Sequence, residues 1–161
     1  MVVTQFEPAV LALAAALRSR GLKIAAAESC TGGLIAAACT AVAGSSDWFE
    51  RGFVTYSNEA KAELLGVPMA LIQAHGAVSA EVARALAEGA LSRSHAGLAV
   101  AVTGIAGPGG GVPGKPVGTV WLAIARAGSA AQAELLTLAG DRAAVREQTV
   151  HHALRRLLES A

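Results

Sequence analysis

Ser29, Tyr56 and Lys61 are the residues of this chain whose types and settings could carry covalent chemistry. Ser29 lies in the polar run Glu28-Ser29-Cys30-Thr31, after the small apolar residues Ile24 to Ala27 and before Gly32-Gly33. A serine hydroxyl attacks a carbonyl only when a base takes its proton. No His or acidic residue recurs near Ser29 in a triad-like motif, so Lys61, just beyond Tyr56, is the best candidate. The lysine must be neutral to act, so its pKa has to fall from about 10.4 towards about 7–8 through burial and the field of a helix start. Tyr56 could then relay a proton or hold the amine, and the Gly32-Gly33 amides could bind an oxyanion. The resulting chemistry is Ser-Lys acyl transfer, the hydrolysis of an amide or an ester. Cys30 is a rival nucleophile that adjacency alone does not exclude.

The elements that must position these residues follow from patterning. Ile24 to Ala27 reads as a short buried strand, and the Ala-rich run from Gly33 to Ala43 as a helix, so Ser29 falls on a strand-to-helix turn. The N–H groups of that helix start are expected to be free for negative charge. The plainer alternative is a connection in which Ser or Thr serves only as a cap. Thr4-Gln5-Phe6-Glu7 fits a capping box before a helix from Ala9 to Arg20. Gly52 to Tyr56 reads as strand two, with Ser57-Asn58 supplying the cap of a helix from Glu59 to Leu65; if Asn58 is the cap, Lys61 lies three residues inside it. Pro68 opens a short segment to Ala74, and Ser79 caps a helix from Ala80 to about Leu91. Leu98 to Val102 is strand three. The Gly/Pro-rich stretch from Thr103 to Gly118 is too long for a simple turn inside a compact domain and is expected to cover a substrate. Strand four, Thr119 to Ala125, and strand five, Gln132 to Leu138, precede a last helix capped by Asp141. Arg142 and Arg146 stand one turn apart at its start, where an anion would be favoured; a solvated arginine pair accounts for them equally well.

Strands one to three are separated by helices and should be parallel, whereas strand four has no helix on either side and should be antiparallel. The expected fold class is α/β, a mixed and mostly parallel five-stranded sheet covered by helices. Ser29, Tyr56, Thr103 and Arg142 then all fall at carboxyl ends of strands that point the same way, the edge at which open α/β sheets bind ligands. Four bland roles at one edge are less natural than one site.

Composition bounds the remainder. With 161 residues, 53% hydrophobic and 16% charged, the chain is expected to form one globular domain over 1–161. A net charge of +1 argues against nucleic acid as partner, and the apolar runs are too short to imply a membrane span. Cys30 and Cys39 have no zinc-type spacing with each other or with His, so no metal and no cofactor is expected. Two cysteines and no basic leader suit a cytoplasmic protein.

Taken together, Ala27-Glu28-Ser29-Cys30-Thr31-Gly32-Gly33, Tyr56-Ser57-Asn58-Glu59-Ala60-Lys61, Gly76-Ala77-Val78-Ser79, Thr103-Gly104-Ile105-Ala106-Gly107-Pro108-Gly109-Gly110 and Gly140-Asp141-Arg142 resemble the CinA C-terminal-domain family, in order and over nearly the whole chain. The resemblance implies a three-layer α/β/α domain. It also implies nicotinamide-nucleotide amidase activity in bacterial pyridine-nucleotide salvage: hydrolysis of the carboxamide of nicotinamide mononucleotide to nicotinate mononucleotide and ammonia. The family's catalytic serine, tyrosine and lysine fall on Ser29, Tyr56 and Lys61. Thr31, Gly32, Gly33, Thr103, Gly104 and Arg142 are the expected substrate-binding residues, Arg142 for the phosphate. A homo-oligomer with a small-molecule nucleotide substrate is expected. Full-length CinA proteins carry a further N-terminal nucleotide-pyrophosphatase-like domain, whose activity is not expected of these residues. The competing expectations are a non-catalytic nucleotide-binding module of the CinA type and an interaction domain whose motifs only pack.

Overall fold

In the computed structural model, which describes residues 3–161, β1 (Ile24–Glu28) is an interior strand of a five-stranded sheet. Residues 1 and 2 of the expected domain lie outside the described residues. Strand order is β2 (Phe49–Val54), β1, β3 (Leu98–Gly104), β4 (Thr119–Arg126), β5 (Gln132–Thr137). β1 pairs in parallel with both β2 and β3, and β4 is antiparallel to β3 and β5. The expected mixed sheet is therefore the observed one, because helical crossovers impose parallel pairing and direct connections permit antiparallel pairing.

Alternation along the central strands sorts side chains to two unlike faces. Ile24, Ala26, Leu98, Val100, Val102, Val120 and Leu122 pack against α1 (Glu7–Arg20), α2 (Leu34–Thr40) and α6 (Arg142–Ser160). Ala25, Ala27, Ala99, Ala101, Ala123 and Ala125 face α3 (Asn58–Leu65), α4 (Met69–His75) and α5 (Ala80–Ser92). The central strands present almost only alanine on the second face, so α5 packs close against the sheet, with α3 and α4 packed on α5.

Several local expectations shift. Val3–Phe6 is a 3-10 turn, and α1 starts at Glu7 without a side-chain cap, so the Thr4 capping box does not form; Pro8 in the first turn has no N–H to satisfy. Helix α2 stops at Thr40 rather than Ala43. The chain then makes a 3-10 turn, Ser45–Asp47, that delivers Trp48 fully buried, and the Trp48 carbonyl accepts from Ile24 N–H at 2.8 Å. Strand β2 accordingly begins at Phe49 and ends at Val54, so Tyr56 stands two residues beyond it. Its Glu50-Arg51 pair obscured the strand pattern, and an edge strand tolerates such charges. Of the Ser57-Asn58 pair, Ser57 is the residue that caps α3: its Oγ accepts from Ala60 N–H at 3.0 Å, which makes Lys61 the fourth helical residue. β3 runs on to include Thr103 and Gly104, and the loop after it contains a small antiparallel bridge between Val112 and Lys115.

Candidate active site

Backbone pairing extends past the end of β1 on both sides. Ser29 N–H donates to Val102 O at 3.1 Å, and Thr55 N–H donates to Glu28 O at 2.9 Å. Ser29 is thus fixed at the carboxyl edge between β3 and the segment after β2. Gly32 and Gly33, at φ 58° and 104°, then turn the chain into α2 through conformations that suit only glycine. The carboxylate of Glu28, 1% exposed, fills the space beneath that turn. It accepts from Thr31 Oγ1 at 2.6 Å, Ile35 N–H at 2.8 Å and Ala36 N–H at 3.0 Å. The start of α2 is therefore capped from within the protein, contrary to the expectation of a free anion site. Thr31 is wholly buried with its hydroxyl spent on Glu28, and Gly32 N–H donates to Ser29 O at 3.0 Å. Among the described residues, the Cys30 amide donates to no other residue and meets only its own thiol sulfur.

Lys61 reaches the same edge from α3. Its Nζ lies 3.3 Å from Ser29 Oγ, 3.0 Å from Thr55 O and 3.1 Å from Tyr56 O. The side chain is 1% exposed, and burial holds its pKa below the ordinary lysine range. A neutral amine has two N–H donors and one lone pair. With the two carbonyls taking the donors, the lone pair is left for the Ser29 hydroxyl, which is the arrangement a general base requires. Cys30 is buried beside it, and its thiol is pushed up to about 11, first by burial and further by Glu28. At neutral pH it is a thiol rather than the nucleophilic thiolate. Tyr56 holds the amine by its main-chain carbonyl. Its phenol is 59% exposed and instead accepts from Arg142 Nη2 at 3.1 Å.

Ser29, Cys30, Tyr56, Lys61, Thr103, Gly104 and Arg142 line one cavity of about 220 Å³. Thr31, Gly32 and Gly33 do not line it. Thr103 Oγ1 donates to Ala77 O at 2.9 Å, tying the end of β3 to the Gly76-Ala77-Val78-Ser79 stretch. A Cβ on Gly104 would sit 2.6 Å from Val120 Cγ2, so glycine there permits the close approach of β4. Ala106 and Arg142 also line a second cavity of about 530 Å³, with Pro108, Val117, Asp141 and Arg146. Arg142 Nη1 donates to Gly107 O at 2.9 Å, so this guanidinium joins the Gly-rich loop to Tyr56 where the cavities meet. Arg146, which patterning placed beside it as a possible anion partner, donates from Nε to Cys30 O and from Nη2 to Thr31 O, each at 3.2 Å. Among the described residues no group of His, Cys, Asp and Glu could hold a metal ion, and no helix is long and apolar enough to cross a membrane.

Comparison with known proteins gives a consistent picture. The chain is 52% identical over 142 residues to the nicotinamide-nucleotide amidohydrolase PncC of Escherichia coli, covering 88% of this chain and 86% of that one. It is 59% identical over 142 residues to a CinA-like protein of Citrifermentans bemidjiense, of which it spans only 34% of the length. The crystal structure of the competence/damage inducible protein CihA from Agrobacterium tumefaciens superposes with a TM-score of 0.93 at 45% identity, covering 96% of this chain and 94% of that one. The model of the CinA C-terminal domain matches residues 7–161, and the chain belongs to that family.

Proposed function

We propose that this chain hydrolyses the carboxamide of nicotinamide mononucleotide, releasing ammonia and nicotinate mononucleotide. The observation that carries the proposal is the buried Lys61 amine, 3.3 Å from Ser29 Oγ and within hydrogen-bond distance of the Thr55 and Tyr56 carbonyls. The likeness to the E. coli amidohydrolase supplies the substrate. Lys61 takes the hydroxyl proton as Ser29 Oγ bonds to the amide carbon, and the Cys30 amide beside it receives the oxyanion. The C–N bond then breaks, and Lys61 gives the proton to the departing nitrogen, which leaves as ammonia. Water, deprotonated by the same amine, adds to the acyl-serine and frees the carboxylic acid and Ser29. The smaller cavity lies below the roughly 300–1,000 Å³ of small-molecule sites, so the ribose phosphate extends past Arg142 into the larger one, with Arg142 on the phosphate. Two buried free cysteines suit a reducing cytoplasm. Exposed Val54 and Leu64 give a homo-oligomer a surface to cover.

Ammonia release from nicotinamide mononucleotide by the wild type, Ser29→Ala and Cys30→Ala tests the reading. Ser29→Ala is expected to be inactive with an unchanged circular-dichroism spectrum, and Cys30→Ala to keep most of its activity. An active Ser29→Ala beside a dead Cys30→Ala would transfer the nucleophile to the thiol, and a wild type that binds the nucleotide without releasing ammonia would leave a binding module.

A further inference from the structure

Arg146 has no part in the reaction as described, yet it is the side chain of α6 that grips the nucleophile turn. Its Nε donates to Cys30 O and its Nη2 to Thr31 O, both at 3.2 Å. These contacts control more than two carbonyls, because each trans peptide plane carries a C=O at one end and an N–H pointing the opposite way at the other. The plane holding the Thr31 carbonyl also holds the Gly32 N–H, which donates to Ser29 O at 3.0 Å. The plane holding the Ser29 carbonyl also holds the N–H of Cys30, a residue that lines the cavity with Ser29 and whose amide, among the described residues, donates to no residue but its own. Two rigid planes therefore connect the guanidinium to the amide that would meet an oxyanion. Glu28 braces the same turn from inside through Thr31, Ile35 and Ala36, so the turn is clamped between a carboxylate and a guanidinium.

We propose that Arg146 is a positioning residue for the amide hydrolysis: it sets the Ser29–Thr31 peptide planes so that the Cys30 N–H faces the developing oxyanion. This rests on the amidase reading above. Planar, forked donation to two carbonyls is a task for a guanidinium that a single ammonium does not reproduce. Donors of this kind act on the transition state more than on bound substrate, and losing one outright costs about 10²–10³-fold in kcat. Losing the residue that aims the donor should cost less.

The test compares wild type, Arg146→Ala and Arg146→Lys in the intact chain, with two readouts. The first is steady-state ammonia release from nicotinamide mononucleotide. Both variants are expected to lose at least about tenfold in kcat with KM changed less than about threefold, and millimolar guanidinium, but not methylammonium, is expected to restore part of the Arg146→Ala rate. The second is the rate at which a fluorophosphonate labels Ser29, with Ser29→Ala as blank; it should fall in both variants in proportion to kcat. Unchanged kcat, full activity in Arg146→Lys, or a rise in KM alone would overturn the proposal, the last placing Arg146 on the substrate's anion instead. If thermal melting shows Arg146→Ala unfolded, Arg146→Lys decides by the same criteria. A wild type that labels at Ser29 but releases no ammonia refutes the amidase reading separately, and equal labelling of wild type and variants then refutes the positioning role. A wild type that does neither refutes both.

Discussion

The Lys61 amine carries opposite consequences for stability and activity. Burial disfavours its charged form in the folded state, so its pKa lies below the ordinary value, whereas the unfolded chain titrates near 10.4. Between those two values the unfolded chain binds more protons than the folded one, so stability rises with pH across that window and the full cost of burying the charge is carried below it. The melting temperature of wild type minus that of Lys61→Met should therefore increase from pH 7 to pH 10; a flat difference would show that the amine is no easier to bury neutral than charged. Activity should also rise with pH, with an apparent pKa below that of a free lysine. Lys61→Met should lose about 10²–10⁴-fold in kcat. Lys61→Arg should not recover it, because a guanidinium stays protonated; an active Lys61→Arg with an unchanged pH profile would exclude lysine as the base. Ser29 and Lys61 were legible as a pair from residue type and from their places after strands. Glu28 was not, because its partners Ile35 and Ala36 lie a turn of chain away, and only the path through Gly32-Gly33 brings their amides over its carboxylate. The same fact removes Thr31 from the cavity wall.

Between elements, Arg142 is the point where α6, the Gly-rich loop and the segment after β2 meet. Its two contacts, to Gly107 O and to the Tyr56 phenol, hold a cation between the cavities without neutralising it by an acid. If it receives the phosphate, Arg142→Ala should raise KM for nicotinamide mononucleotide by about tenfold or more while changing KM for the riboside little, since a charge-assisted contact contributes about 1.5–3 kcal/mol. Equal losses on both substrates would reduce Arg142 to a strap for the loop. Tyr56→Phe, which removes the phenol but keeps the carbonyl that holds Lys61, should cost far less than Lys61→Met; an equal loss would make the phenol a proton relay. The helices were legible to within a few residues where caps were unambiguous, as at Ser79 and Asp141, whose side chains accept from Val82 and Ala144 N–H. They were less so where neighbouring residues compete: Ser57 and Asn58 are both good caps, and the backbone path out of β2 selects Ser57. The limits of β2 depended on its being an edge strand, which is a property of the sheet rather than of the six residues.

At the scale of the whole molecule, the order of helices and strands was enough to set which strands are parallel, but not how near each helix layer lies to the sheet. That distance comes from side-chain volume, and the alanine face lets α5, the helix against which α3 packs, lie close on the sheet. Gly89 in α5 shows how little room remains: a Cβ there would fall 2.3 Å from Leu65 O and 2.9 Å from Leu65 Cβ, at the last residue of α3. Leu65 O is also held by Arg93 Nη1 at 3.0 Å, so the end of α3 is fixed against α5. Lys61 stands one helical turn earlier, and its contacts of 3.0–3.3 Å tolerate little displacement. Gly89→Ala gains up to about 1 kcal/mol in helix propensity and incurs about 1–3 kcal/mol from overpacking against backbone. Overpacking should win, because the blocking atom is a carbonyl oxygen that no rotamer change can move. The urea midpoint of Gly89→Ala should drop, and kcat should fall with KM nearly unchanged as α3 carries the amine away from Ser29. Glu88→Ala, exposed on the same helix, should stay within about 0.5 kcal/mol of wild type and keep its kcat. A Gly89→Ala protein that is more stable and fully active would mean that α3 shifts freely, and that the position of the Lys61 amine is set by its hydrogen bonds to Thr55 and Tyr56 rather than by the packing of the helix that bears it.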